Sequence, residues 1–158
     1  MPISEKKAAH AITEYFQKLS KNDSYAQMHL TGTGSIEELE KKIKRHYGMR
    51  YALCLSNATT ALMAVAMALE LRDSHFVTTP YTYGATISGW MMQGNKPIFA
   101  DIHDETLSLD PDSVVKVLTS RTKAILDVDV YGIPHRSKDM RKIADEYGLW
   151  YIADCAQS

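Results

Sequence analysis

From Tyr51 onward, short β-rich apolar runs alternate with helical stretches, and the connections between them are only a few residues long. The runs read as strands at Tyr51 to Ser56, His75 to Thr79, Pro97 to Asp101, Lys123 to Val130 and Leu149 to Ala153. Between them the pattern predicts helices over Thr59 to Leu71, Tyr83 to Gln93, Pro111 to Leu118 and Lys138 to Tyr147. Strand-helix alternation with short connections leaves little choice of topology. The expected fold class is α/β, a mainly parallel sheet covered by helices on both faces.

Upstream, apolar residues at Ala8, Ala11, Ile12, Tyr15, Phe16 and Leu19 share one helical face, which predicts a helical arm within residues 1–24 that needs a partner surface. After a polar break at Lys21 to Ser24, Ser35 with Glu38 reads as a capping box for a helix through Tyr47, and Gly48 as its stop. The final residues Asp154 to Ser158 follow an apolar strand directly, so further chain is expected to complete the sheet.

Charge excludes some partners. Lys plus Arg number 18 against 19 Asp plus Glu, so no global field draws the chain to nucleic acid or an anionic membrane, and a small ligand is expected. Cys54 and Cys155 each sit in an apolar run, as buried free thiols in a reducing compartment would. The start lacks the apolar core of a secretory signal, and the run Ala61 to Leu69 is too short to span a bilayer. The expected location is the cytoplasm.

Ligands in open α/β sheets bind beyond the carboxyl ends of the strands, so those ends carry the candidate chemistry. After the first run, Ser56-Asn57-Ala58-Thr59-Thr60 offers backbone amides, a helix dipole and hydroxyls to a phosphate; taken alone, Ser or Asn before a helix is more often only a cap. After the second, Pro80-Tyr81-Thr82-Tyr83-Gly84-Ala85-Thr86 places aromatics at the same rim, where one could stack on a planar ring, although such residues usually serve packing. Asp154 ends the last strand as a carboxylate, or merely as a helix cap. Together an anion site, an aromatic plate and a carboxylate suit a pyridine ring with a phosphate arm, whose nitrogen the carboxylate would keep protonated.

Other signals are weaker. Gly32-x-Gly34 lacks a preceding strand and a third glycine, so it is a poor dinucleotide fingerprint. The histidines show no pair at metal-ligand spacing on one helix, which predicts no metal site. Met63, Met67, Met91 and Met92 fall at core-like helical positions.

In order, the Ser56-Asn57-Ala58-Thr59 turn, the Pro80 to Thr86 segment, Pro97 to Ile102, Arg121 to Ile125, Val130-Tyr131-Gly132 and Asp154-Cys155-Ala156-Gln157 form a specific set. From about Thr31 to Ser158 the chain resembles the DegT/DnrJ/EryC1/StrS aminotransferases, fold-type-I enzymes that use pyridoxal phosphate. The resemblance implies that Ala58 and Thr59 bind the cofactor phosphate, Tyr83 stacks on the pyridine, Asp154 pairs with its nitrogen and Gln157 lies near its phenolic oxygen. It places the Thr31-Gly32-Thr33-Gly34 loop near the substrate. It implies transfer of an amino group from glutamate to a nucleotide-linked keto-sugar or a cyclitol, with pyridoxal phosphate, or its pyridoxamine form, as cofactor.

The family's Schiff-base lysine and small domain follow the Asp-x-Ala-Gln segment, and no lysine of this sequence occupies that place. Residues 25–158 would then be an incomplete cofactor-binding large domain. The leading expectation is a split enzyme whose partner chain supplies the lysine, assembled into an oligomer. The alternatives are a silent paralogue that scaffolds an intact aminotransferase, and part of a related dehydratase. Ala58 replaces a usual glycine, and Asp127 and Asp129 replace a usual proline and histidine. Strand alternation puts both carboxylates on one face, and Asp129 is expected to face the site or a partner.

Overall fold

The computed structural model describes residues 7, 10, 12–14, 17, 34–133 and 137–158. The chain divides into two compact units, Met1–Cys54 and Leu55–Ser158. The Thr31 to Thr33 part of the expected substrate loop and most of the expected N-terminal apolar stripe lie outside the described residues.

In the first unit, Lys7, His10, Ile12 to Glu14 and Gln17 are helical, with His10 and Glu14 paired one turn apart at 3.7 Å. Helix α1 (Ser35–Tyr47) has Glu37 and Glu38 in its first turn and Lys44, Arg45 and His46 in its last, the arrangement that the helix dipole favours. Gly48 ends it in the left-handed conformation, φ 64°, and Met49 N–H closes on the Lys44 carbonyl at 2.9 Å. The expected capping box does not form. Gly34 is the N-cap, Ser35 is already helical, and no side chain caps the first turn.

Residues 51–56 are a second departure. They keep a strand-like alternation, with Tyr51, Leu53 and Leu55 exposed, but no ladder among the described residues includes them. A strand exists only through its neighbour. At Cys54 the amide instead donates to the Glu40 carboxylate, at 2.8 Å.

The second unit is built as the alternation predicts. Helix α2 (Ala58–Ala68), β1 (His75–Thr78), α3 (Ala85–Met91), β2 (Lys96–Phe99), α4 (Pro111–Val117), β3 (Thr122–Val128), α5 (Ser137–Tyr147) and β4 (Trp150–Asp154) follow one another. All pairings are parallel, in the order β2-β1-β3-β4. Alternate residues of the central strands feed two cores. Phe76, Ala124 and Leu126 join Leu62, Ala66 and Trp90 from α2 and α3. Val77 and Ile125 join Val114, Met140, Ile143 and Ala144 from α4 and α5 on the other face.

The α2–α3 contact is unusually close. A Cβ on Gly89 would fall 2.7 Å from the Met63 Cβ, so only glycine permits this approach. Trp90, fully buried, packs on Phe76 with ring centroids 4.9 Å apart and donates its indole N–H to the Leu62 carbonyl at 3.0 Å. The methionine expectation fails at three positions: Met67, Met91 and Met92 are exposed, since the buried faces of α2 and α3 are taken by Leu62, Ala66, Thr86, Gly89 and Trp90.

Candidate functional site

Because β1 has β2 on one side and β3 on the other, chain direction across the sheet reverses at β1. At such a point the connections leaving the carboxyl ends diverge and open a crevice. A recess lies there, wholly within the second unit, and Ala58, Thr59, Tyr83, Asp154 and Gln157 all line it. The five residues singled out in the sequence, from three separate connections, are thus brought together.

At one end stands the amino terminus of α2. Asn57 is extended and its Oδ1 accepts from Thr60 N–H at 2.8 Å and from the Thr60 hydroxyl at 3.0 Å, so the N-cap role is real. It leaves the amides of Ala58 and Thr59 without an intrahelical acceptor. The two readings of this turn are therefore compatible: the cap fixes the helix start, and the next two amides and the Thr59 hydroxyl remain for an anion.

At the other end is Asp154, 7% exposed. Its Oδ2 accepts from the buried Thr86 hydroxyl at 2.8 Å and its Oδ1 from Ala156 N–H at 3.1 Å. Two donors, one on each oxygen, fix the direction of the carboxylate. Tyr83, 76% exposed, offers its ring to the opening. Gln157 is oriented by its carbonyl, which accepts from Tyr131 N–H at 2.5 Å and so leaves the amide NH2 as the free donor. That grip uses a left-handed turn, φ 58° at Tyr131 and 74° at Gly132, where a Cβ on Gly132 would come within 2.8 Å of the Gln157 main-chain carbonyl oxygen. Beside it the Tyr81 hydroxyl donates to that of Tyr131 at 3.2 Å, and this bond, ahead of burial, holds the Tyr81 phenol above its ordinary range.

Sequence reasoning missed Thr82 and Thr86. Both line the recess, and their hydroxyls lie 2.9 Å apart. Their four-residue spacing at a helix start was visible, but the partner of Thr86 lies 68 residues away.

Asp129, expected to face the site or a partner, lies beside the acidic end of the site, its amide donating to the Asp154 main-chain carbonyl at 3.1 Å. Val128 lines the recess, while Asp127 and Asp129 are buried and are not among its lining residues. Asp127 Oδ1 accepts from Val128 N–H at 3.0 Å and Leu109 N–H at 3.3 Å. With Asp129 it helps to hold the Tyr151 phenol above its ordinary range, where burial is the larger cause. Cys155, expected to be buried, is exposed. Partial desolvation of its thiol, then the nearby Asp129 and Asp154, push it up against an opposing hydrogen bond from Ser158. Only the thiolate alkylates. Iodoacetamide labelling of Cys155, followed by peptide mapping, is therefore expected to rise through a midpoint above about 8.5, the ordinary cysteine value. Asp129→Asn should move that midpoint down; a midpoint at the ordinary value and unmoved by the substitution would contradict the assignment.

The family follows from the whole chain. The model of the DegT/DnrJ/EryC1/StrS aminotransferase family matches residues 9–158. The chain belongs to that family. It is 34% identical over 145 residues to a dTDP-4-amino-4,6-dideoxy-D-glucose transaminase of Escherichia coli, covering 91% of this chain and 38% of the relative. It is 38% identical over 124 residues to a UDP-2-acetamido-2-deoxy-3-oxo-D-glucuronate aminotransferase of Pseudomonas aeruginosa, covering 78% and 34%. Among solved structures it resembles NtdA of Bacillus subtilis with bound cofactor PMP, at TM-score 0.75 and 31% identity, covering 78% of this chain and 29% of that one. The α/β fold is thus shared with aminotransferases, and the chain spans about a third of the length of the curated relatives it matches. Among the described residues no helix is long and apolar enough to cross a membrane, and no group of three or more His, Cys, Asp or Glu could hold a metal.

Proposed function

We propose that this chain supplies the cofactor cradle of a pyridoxal-phosphate-dependent aminotransferase acting on a keto-sugar carried by a nucleotide, or on a cyclitol, with glutamate as amino donor. The observation that carries the reading is the single recess lined by Ala58, Thr59, Tyr83, Asp154 and Gln157. Its donor set fits the cofactor, in either its pyridoxal or pyridoxamine form, at both ends. Free amides and a hydroxyl at the start of an 11-residue helix suit a phosphate, and a buried carboxylate held by the Thr86 hydroxyl suits a protonated ring nitrogen.

When bound, the cofactor supplies an electron sink that stabilises negative charge developing on the amino-bearing carbon. The residues of this chain do the rest by position. Asp154 holds the proton on the ring nitrogen, Tyr83 covers one face of the ring and keeps water from it, and the Gln157 amide donates toward the phenolic oxygen. Ala58 and Thr59 anchor the phosphate.

No lysine lines the recess. On this reading the lysine that holds the cofactor covalently belongs to a partner chain, with this chain as the N-terminal subunit of a split, oligomeric enzyme working in the cytoplasm. The test is to purify the native assembly through a tag on this chain, add pyridoxal phosphate, reduce with borohydride and map the modified peptide. A partner peptide should carry the cofactor, and the assembly should transaminate with glutamate. A modified lysine within these 158 residues, or purification of the chain alone, would overturn the split arrangement. Full activity retained by Asp154→Asn in the assembly would instead identify a scaffold.

A further inference from the structure

Beyond the five residues already assigned, we infer that Thr86, backed by Thr82, is a positioning residue that fixes the direction of the Asp154 carboxylate through a one-way chain of hydroxyl groups. The inference rests on the reading of the recess as the cofactor site, and it adds to that reading what sets its acidic end.

The direction of the chain follows from counting protons. A hydroxyl has one proton to give. Thr86 gives its proton to Asp154 Oδ2, at 2.8 Å. The contact between the two threonine hydroxyls, at 2.9 Å, can then run only one way, with Thr82 donating and Thr86 accepting. Each hydrogen bond polarises the next, so the Thr82 hydroxyl strengthens the donor that meets the carboxylate. Ala156 N–H takes the other carboxylate oxygen, at 3.1 Å. Among the described residues these two donors are the hydrogen-bond partners of the Asp154 carboxylate.

The placement is well determined. Thr86 is 3% exposed and lies in the first turn of α3, one helical turn from Thr82, so its rotamer is confined by packing. A carboxylate held on both oxygens cannot rotate, and its remaining lone pairs keep one direction. Thr82, Thr86, Asp154 and Ala156 all line the recess. A ring nitrogen entering it meets an acceptor already oriented, so binding spends less on ordering that group.

The test uses pyridoxamine phosphate, which needs no lysine to bind, titrated into the full chain. The near-isosteric Thr86→Val is expected to weaken binding roughly tenfold, as loss of a charge-assisted donor does. Thr86→Ser, which restores the hydroxyl, should return the affinity to within about twofold of the unaltered chain. Thr82→Val should weaken binding less than Thr86→Val does, and should add nothing in a Thr86→Val background. In an Asp154→Asn background Thr86→Val should also add nothing, because the hydroxyl acts through the carboxylate. Unchanged affinity in Thr86→Val overturns the inference while leaving the cofactor reading intact. So does an equal loss with and without Asp154, or a Thr86→Ser chain as weak as Thr86→Val, since a packing role would give either. Failure of the unaltered chain to bind pyridoxamine phosphate overturns the cofactor reading, and this inference with it.

Discussion

Trp90→Ala is expected to lower the free energy of unfolding of the chain by about 4 kcal/mol. Trp90 is fully buried, stacks obliquely on Phe76 and donates to the Leu62 carbonyl. Its removal leaves a cavity between α2, α3 and β1 and an unpaired carbonyl on α2. Small domains hold only about 5–15 kcal/mol in all, so a loss of this size is a large part of the total. The site should suffer too. Leu62 lines the recess and belongs to the helix whose first amides form its anion end. Urea unfolding followed by circular dichroism measures the effect, and a loss below about 1 kcal/mol would show that Trp90 does not hold α2 in place.

Asp154→Asn is expected to weaken pyridoxamine phosphate binding by about 3 kcal/mol, roughly a hundredfold. The carboxylate has donors on both oxygens, Thr86 on one and Ala156 N–H on the other. An asparagine supplies only one acceptor oxygen. If that oxygen stays with the Ala156 amide, the NH2 group meets the Thr86 hydroxyl, which must turn round to accept. The charge opposite the ring nitrogen is lost in either orientation. Calorimetric titration reads the change, and an affinity within threefold of the unaltered chain would remove Asp154 from the cofactor's surroundings.

The second unit was legible in the sequence because its signal is local. Each strand is short and apolar, helices α2 and α4 begin at a cap or a proline, and parallel pairing follows from the alternation of strands and helices. Asn57 before α2 and Pro111 at the start of α4 mark helix starts that the structure keeps. Local signals fail where a second element decides. Tyr51, Leu53 and Leu55 alternate as a strand does, yet alternation carries no information about the neighbour that would pair with them. Ser35 and Glu38 have the spacing of a capping box, but Gly34 takes the cap and shifts the helix start by one residue.

The site divides in the same way. Thr59, Tyr83 and Asp154 stand at a helix start or beside a strand end, positions that the pattern marks, while Ala58 and Gln157 were named by the family resemblance. Asp129 lies just beyond β3, where the alternation that fixes Val128 and Asp127 no longer determines which way it faces. The Thr82-Thr86-Asp154 chain was invisible, since it depends on the register that sets β4 beside β3, with Val128 opposite Asp154. That register is a tertiary fact.

The most direct test compares pyridoxamine phosphate with pyridoxamine, which lacks the phosphate, in calorimetric titrations of the full chain. The phosphorylated compound should saturate at one per chain and bind roughly a hundredfold more tightly, because two free amides at the start of α2 meet the anion while Asp154 meets the ring. Equal affinities for the two compounds, or no saturation by either, would contradict a recess built for a phosphorylated pyridine.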